Sequence, residues 1–337
     1  MAFLPDHLRL PTSPHANPDA VVAADHWRIT VLTDRLLRLE WSDTGVFEDR
    51  ATQTVLNRNF PVPDFQVRQT QDGGIQLDTG RVRLHYDGQR FSPEGMWAEM
   101  HGGPRIGNGS GVPWRYGLER HSIHFLRGNL GGTARTLDEV DGSTPVDPGL
   151  MDAQSFTTLD DSHSLALTED GWVAPPIDGN IDFYLFAYPR DYLGALQAYY
   201  RLTGPQPLLP RFALGNWWSR YHAYTDQEYR DLMNRFAAEG IPFSVAVIDM
   251  DWHLVDIDTR YGAGWTGYTW NRELFPNPAG FLGWLHDHGL HTSLNIHPAD
   301  GVRPFEDAYP RLARALGRDP QDDESIEFDI ADPDFVT

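Results

Sequence analysis

The sequence predicts two architectures in one chain: an antiparallel β-sandwich, then the first part of a (β/α)8 TIM barrel. Three observations carry this reading. As far as residue 188, apolar and polar residues alternate in short runs broken by Gly, Pro, Asn and Asp, the mark of strands with one buried face. Beyond residue 205 the pattern becomes near-continuous apolar runs separated by stripes at i, i+3 and i+4, which reads as alternating buried strands and amphipathic helices. Between the two regions Pro205, Pro207 and Pro210 form a stiff linker. Two domains are expected, at residues 1–205 and 206–337.

In the first region, residues 27–32 and 36–41 flank Thr33-Asp-Arg35 as a hairpin. Residues 75–79 and 82–86 repeat the pattern around Gly80, and residues 164–167 and 181–187 supply later strands. Many short strands with no helical pattern between them point to a sandwich. Residues 100–160 are rich in Gly, Pro, Ser, Thr and Asp, and a connection of that length usually carries function. A helix over residues 191–202 places Leu193, Leu196 and Tyr200 on one face and ends before Gly204.

In the second region, residues 212–218 read as a strand. Thr225-Asp-Gln-Glu228 is a capping box. The helix it opens aligns Tyr229, Leu232, Met233, Phe236 and Ala237 before Gly240 and Pro242 end it. Residues 243–248 form a second strand, 279–288 a helix with Phe281, Trp284 and Leu285 inward, 290–296 a third strand and 305–316 a third helix. A barrel is favoured over a doubly wound sheet because no Gly-rich phosphate loop follows a strand. Polar, aromatic-rich segments follow the strand ends instead, where (β/α)8 enzymes keep their chemistry.

Composition narrows the function. The 337 residues include 27 basic and 48 acidic side chains, for a net charge of −21, with 40% hydrophobic and 12% aromatic residues. Such a chain is globular rather than disordered. It contains no Lys and no Cys, which excludes lysine bases, Schiff bases, disulfides and thiolate metal sites. The charge disfavours nucleic acids and anionic membranes as partners. The opening ten residues lack the cationic start of a signal peptide, and no apolar run reaches the length of a membrane helix. A soluble cytoplasmic protein able to form a homo-oligomer is the expectation.

The sharpest chemical feature is Ile248-Asp-Met-Asp-Trp-His253 at the end of the second strand. Asp249 and Asp251 point the same way only while the backbone stays extended. A carboxylate at a barrel rim can grip sugar hydroxyls; the competing reading is a helix cap or a solvated loop start. Six of the eleven Trp fall between residues 217 and 284, and their flat rings suit sugar faces. Trp252, Trp265 and Trp270, on a long Gly-rich loop, are expected in a cleft wall, and Trp284 in the core. His286, His288, His291 and His297 straddle element ends and lack ligand spacing, and Asp249, Asp251, Asp256 and Asp258 lack the calcium-loop order, so no metal and no cofactor are expected.

These residues resemble the start of the catalytic barrel in glycoside hydrolase family 31. The likeness runs through residues 215–221, 240–243 and 247–253, then 264–271, 274–276 and 294–302, in order. Residues 47–54, 129–133 and 160–162 resemble that family's N-terminal sandwich. The resemblance implies a retaining α-glycosidase, most often an α-glucosidase, that uses two Asp residues on an oligosaccharide or glycoside. It further implies that Asp249 holds sugar hydroxyls, that Tyr221 forms an aromatic wall, and that Met250, Asn295, Trp252 and His297 line the pocket. Residues 151–158 and Asn295-Ile-His-Pro298 depart from the common pattern, so α-galactosidase, α-xylosidase, transglucosidase or a non-catalytic carbohydrate-binding module remain alternatives. A full barrel takes about 250 residues, and 337 − 210 = 127 follow the linker. Three βα units are therefore expected, with the catalytic Asp pair beyond Thr337.

Overall fold

The structure, a computed structural model, describes residues 4–101, 113–118, 129–132, 136–137, 139–153, 156–329 and 335. Parts of the sequence motifs at 129–133 and 151–158, and of the Gly- and Pro-rich stretch at 100–160, lie outside the described residues. The chain divides into two compact units, Phe3–Gln206 and Pro207–Thr337.

The N-terminal unit contains two antiparallel five-stranded sheets. Val21–Ala23 (β1), Trp27–Thr33 (β2) and Leu36–Trp41 (β3) belong to one; Gln66–Gln69 (β4), Ile75–Asp78 (β5), Val82–Tyr86 (β6), Met96–Met100 (β7) and Trp114–Arg115 (β8) form the other. Thr157–Asp160 (β9) and Ile181–Phe186 (β12) complete the first sheet in the order β1-β2-β3-β12-β9, while Ala166–Leu167 (β10) and Val173–Ala174 (β11) pair separately. Ile29, Val31, Leu37 and Leu39 from the first sheet share one core with Leu77, Val82, Leu84 and Met96 from the second. β5 and β6 bury alternate residues, as period two requires.

β3 departs from that alternation: Leu36–Glu40 are all buried. Its second face packs with Tyr184, Phe186, Ala198 and Leu202, the last two from the helix Tyr192–Thr203 (α1). Arg38 lies on that face, bonded to Asp182 at 2.9 and 2.5 Å, with Glu40 at 3.1 Å. Buried charges persist only when paired in this way.

In the C-terminal unit, Trp217–Trp218 (β13), Val245–Ile248 (β14) and His291–Leu294 (β15) form a parallel sheet in that order. Asp226–Ala238 (α2) and Pro278–Asp287 (α3) are the crossovers, and Tyr309–Ala315 (α4) follows. Tyr229, Met233, Phe281 and Leu285 bury the helices against Ala246 and Ile248. The expected strand at residues 212–218 shrinks to two residues, because Arg211–Leu214 is a 3-10 turn. Pro210 fixes the entry at φ −59°, and Ser244 Oγ donates to Phe212 O at 2.7 Å, which satisfies the turn instead of a ladder. The last helix starts four residues later than expected, since the segment before it is committed to contacts described below. The sheet does not close into a barrel among the described residues. No helix among them is long and apolar enough to cross a membrane.

Candidate functional site

Parallel strands deliver their C-terminal ends to one edge, and in this unit that edge collects the chemistry. β14 is buried because it lies between two neighbours, and the first residue beyond it is Asp249. Asp249 is still extended (φ −91°, ψ 152°), but Met250 takes φ +25° and starts a 3-10 turn. A non-Gly residue in that region is strained, and the turn separates Asp251 from Asp249, so the two carboxylates do not act as an extended pair.

Asp249 Oδ1 accepts hydrogen bonds from Met250 N at 3.0 Å and from Asn295 Nδ2 at 2.5 Å. Oδ2 has no hydrogen-bond partner among the described residues. One oxygen is thus anchored and the other is free for a ligand hydroxyl. Asn295 follows β15; its own amide donates to Ile248 O at 3.1 Å, and its carbonyl accepts from Trp252 Nε1 at 2.8 Å. Three expected site residues, Asp249, Asn295 and Trp252, are therefore joined by hydrogen bonds.

The others sit differently. Trp252 is 3% exposed and belongs to the core, with its ring against Trp270 at 5.2 Å. It supports Asn295 from beneath rather than walling a cleft, and Trp270, packed on Phe275, is likewise core. Of the three loop tryptophans only Trp265 stands out, at 55% exposure, with its ring edge-on to His297 at 5.0 Å. Met250 is buried. Tyr221 follows β13 and is 69% exposed, but joins none of these groups by a hydrogen bond or ring contact.

Two of the remaining candidate histidines are occupied locally, His288 stacking on Trp284 at 3.9 Å and His291 on Phe212 at 3.6 Å, while His286 is exposed. Among the described residues no cluster of three His, Cys, Asp or Glu is arranged to hold a metal ion.

Two residues escaped the sequence reading, Arg303 and Glu306, at 0% and 2% exposure. Their i, i+3 spacing was the available signal, hidden because neither belongs to a hydrophobic stripe. A cavity of about 1330 Å³ also opens in the N-terminal unit, lined in part by Trp114, Tyr116, Phe183 and Asp160. Its aromatic floor is shared with that unit's core, whereas the carboxylate with a free oxygen lies at the strand ends.

Residues 206–331, which contain all of these strand ends, match the profile of the glycosyl hydrolases family 31 TIM-barrel domain. That region belongs to glycosyl hydrolase family 31. Its relatives include alpha-glucosidase 2 of Bacillus thermoamyloliquefaciens, 33% identical over 120 residues, which cover 36% of this chain and 14% of that protein. An alpha-xylosidase of Saccharolobus solfataricus is 29% identical over 141 residues, 41% of this chain and 18% of the relative. A family 31 alpha-xylosidase from a soil metagenome, solved with xylose, superposes with a TM-score of 0.55 at 15% identity, over 88% of this chain and 48% of that one. The last likeness speaks for the fold. The chain spans less than half of each of these three proteins.

Proposed function

We propose that this family 31 chain supplies the N-terminal β-sandwich and the first substrate-binding rim of a retaining α-glycosidase, with α-glucosidase activity the leading assignment. The observation that carries the reading is Asp249, held through Oδ1 by Asn295 with Oδ2 free. An ionised carboxylate that accepts a hydrogen bond from a hydroxyl makes a charge-assisted bond, about twice as strong as a neutral one. That is the means of fixing one sugar ring at the strand ends. In the retaining mechanism one carboxylate attacks the anomeric carbon while a second, about 5–5.5 Å away, protonates the leaving oxygen. Neither role is assigned within residues 1–337; both are proposed for the part of the barrel that this chain does not include.

The sandwich assignment is supported by the single core between the two five-stranded sheets. In this reading Tyr221, Met250 and His297 surround the sugar, and Trp252 acts through Asn295. α-Xylosidase activity is the second reading, favoured by the xylosidase relatives. The test is a screen of nitrophenyl α-glycosides on the enzyme that carries this chain, with Asp249→Ala alongside. The variant is expected to lose on the order of 10²-fold or more in kcat/KM. Undiminished activity would remove Asp249 from the pocket, and the preferred glycoside separates glucosidase from xylosidase.

A further inference from the structure

In the N-terminal unit the first sheet ends at β9 and the second at β8. The cavity of about 1330 Å³ is lined by residues of both edge strands. The side chains that β9 turns toward it break the pattern of the core. In register, Thr158 stands opposite Leu185 and Asp160 opposite Phe183. Directly opposed residues of neighbouring strands project from the same face of a sheet. Leu185 and Phe183 lie in the core between the sheets, so Thr158 and Asp160 share that inner face. Both are exposed. Folding does not call for a carboxylate beside a core phenylalanine, since Val or Leu at these positions would continue the apolar face. Places where a chain breaks its own pattern are where function is sought.

The facing wall is aromatic. The rings of Trp114 in β8 and of Tyr116 just after it lie 5.7 and 5.4 Å from Phe183. Phe183 is thus the common neighbour of a tyrosine ring and a carboxylate. Asp160 Oδ1 accepts from Ser162 N at 3.0 Å, and no described group donates to its Oδ2. The hydroxyls of Tyr116 and Thr158 likewise have no hydrogen-bond partner among the described residues. Burial and the charge of Asp160 raise the Tyr116 hydroxyl above its usual range, so it keeps its proton to donate.

These groups select a ligand class. An anion finds no free cation, because Arg90 is held by Asp43 at 2.6 Å and Arg115 donates to Pro93 O at 2.8 Å beside the Trp97 ring. A cationic amine could donate to Asp160 but offers no acceptor to the Tyr116 hydroxyl. A sugar hydroxyl both donates and accepts, and the apolar CH face of a sugar suits a tyrosine ring. Pockets for small ligands hold about 300–1,000 Å³, so this cavity has room for more than one sugar ring. We infer that the cleft between β8 and β9 binds a neutral oligosaccharide, with Tyr116 as stacking ring and donor and Asp160 as acceptor. This binding does not depend on Asp249, and either pocket can fail without the other.

Calorimetric titration of the whole chain carrying Asp249→Ala, with maltotriose and with isomaltotriose, reads this cleft without the strand-end carboxylate. At least one of the two sugars is expected to bind. Adding Asp160→Asn, which keeps an oxygen for Ser162 N and removes the charge, should weaken binding about tenfold or more. Tyr116→Phe should weaken it about fivefold, the loss of one neutral hydrogen bond, and Tyr116→Ala further, because the ring goes too. Putrescine, a cation without an acceptor, should not displace the sugar. A circular dichroism melt on each variant separates these effects from unfolding. If wild type binds and Asp249→Ala alone abolishes binding, the cleft is refuted and the Asp249 reading stands. Binding undiminished by both Asp160→Asn and Tyr116→Phe, no binding to wild type, or displacement by putrescine would equally overturn the assignment.

Discussion

Asp161, 2% exposed, shows how burial sets chemistry at a single side chain. It accepts from Thr52 Oγ1 at 2.9 and 3.0 Å and lies 3.6 Å from the Arg58 guanidinium. Desolvation, reinforced by the charge of Asp182, outweighs these favourable partners and pushes its carboxyl up to about 6. The folded-state value is above the unfolded one, so the stability this group contributes is complete below about pH 4 and is lost as the pH rises through 6. Urea titrations at several pH values should show wild type losing stability relative to Asp161→Asn across that window, by about 3 kcal/mol. A constant offset between the two would place Asp161 in the ordinary carboxylate range. Asp249 makes the contrasting point: its chemistry comes from which oxygen remains unpaired, a property no sequence pattern encodes.

At the scale of elements, helix α2 shows what was legible. Its start follows from local chemistry: Thr225 Oγ1 accepts from Glu228 N at 3.2 Å, and Glu228 Oε2 accepts from Thr225 N at 2.9 Å. Those hydrogen bonds hold the Glu228 carboxyl below its usual range. Thr225→Ala should cost about 1 kcal/mol, read as a lower urea midpoint with an unchanged slope. The β14 strand, and with it the position of Asp249 at its end, was legible because a buried parallel strand is a continuous apolar run. Residues 212–218 misled because an apolar run also suits a 3-10 turn whose carbonyl is satisfied from Ser244, 32 residues away in sequence. Trp252 misled because a loop tryptophan and a core tryptophan look alike until its indole finds Asn295 O. Arg303 and Glu306 were hard to read because, beyond their own contact, their partners are carbonyls, an amide and a hydroxyl of another loop.

For the whole molecule, the decisive segment is the connection between the two units. Leu208 is 98% exposed and Leu209 60%, in a stretch where Pro205, Pro207 and Pro210 deny the backbone regular pairing. Brief chymotrypsin treatment is expected to cut first between Leu208 and Leu209, because the bond after Leu209 is shielded by Pro210. Mass spectrometry of the first products checks this; an initial cut inside either unit would mean that the connection is better protected than its exposure indicates.

The three-stranded parallel sheet also has a consequence beyond the site it carries. β13 and β15 each present one row of backbone donors and acceptors that no strand covers among the described residues. In the proposed barrel these rows receive the neighbouring strands, and wherever they are uncovered they are templates for strand addition between copies. The net charge of −21 opposes that step by mutual repulsion, and added salt weakens the repulsion. The same geometry that gathers Asp249 and Asn295 at one edge therefore makes this chain's colloidal behaviour a matter of ionic strength.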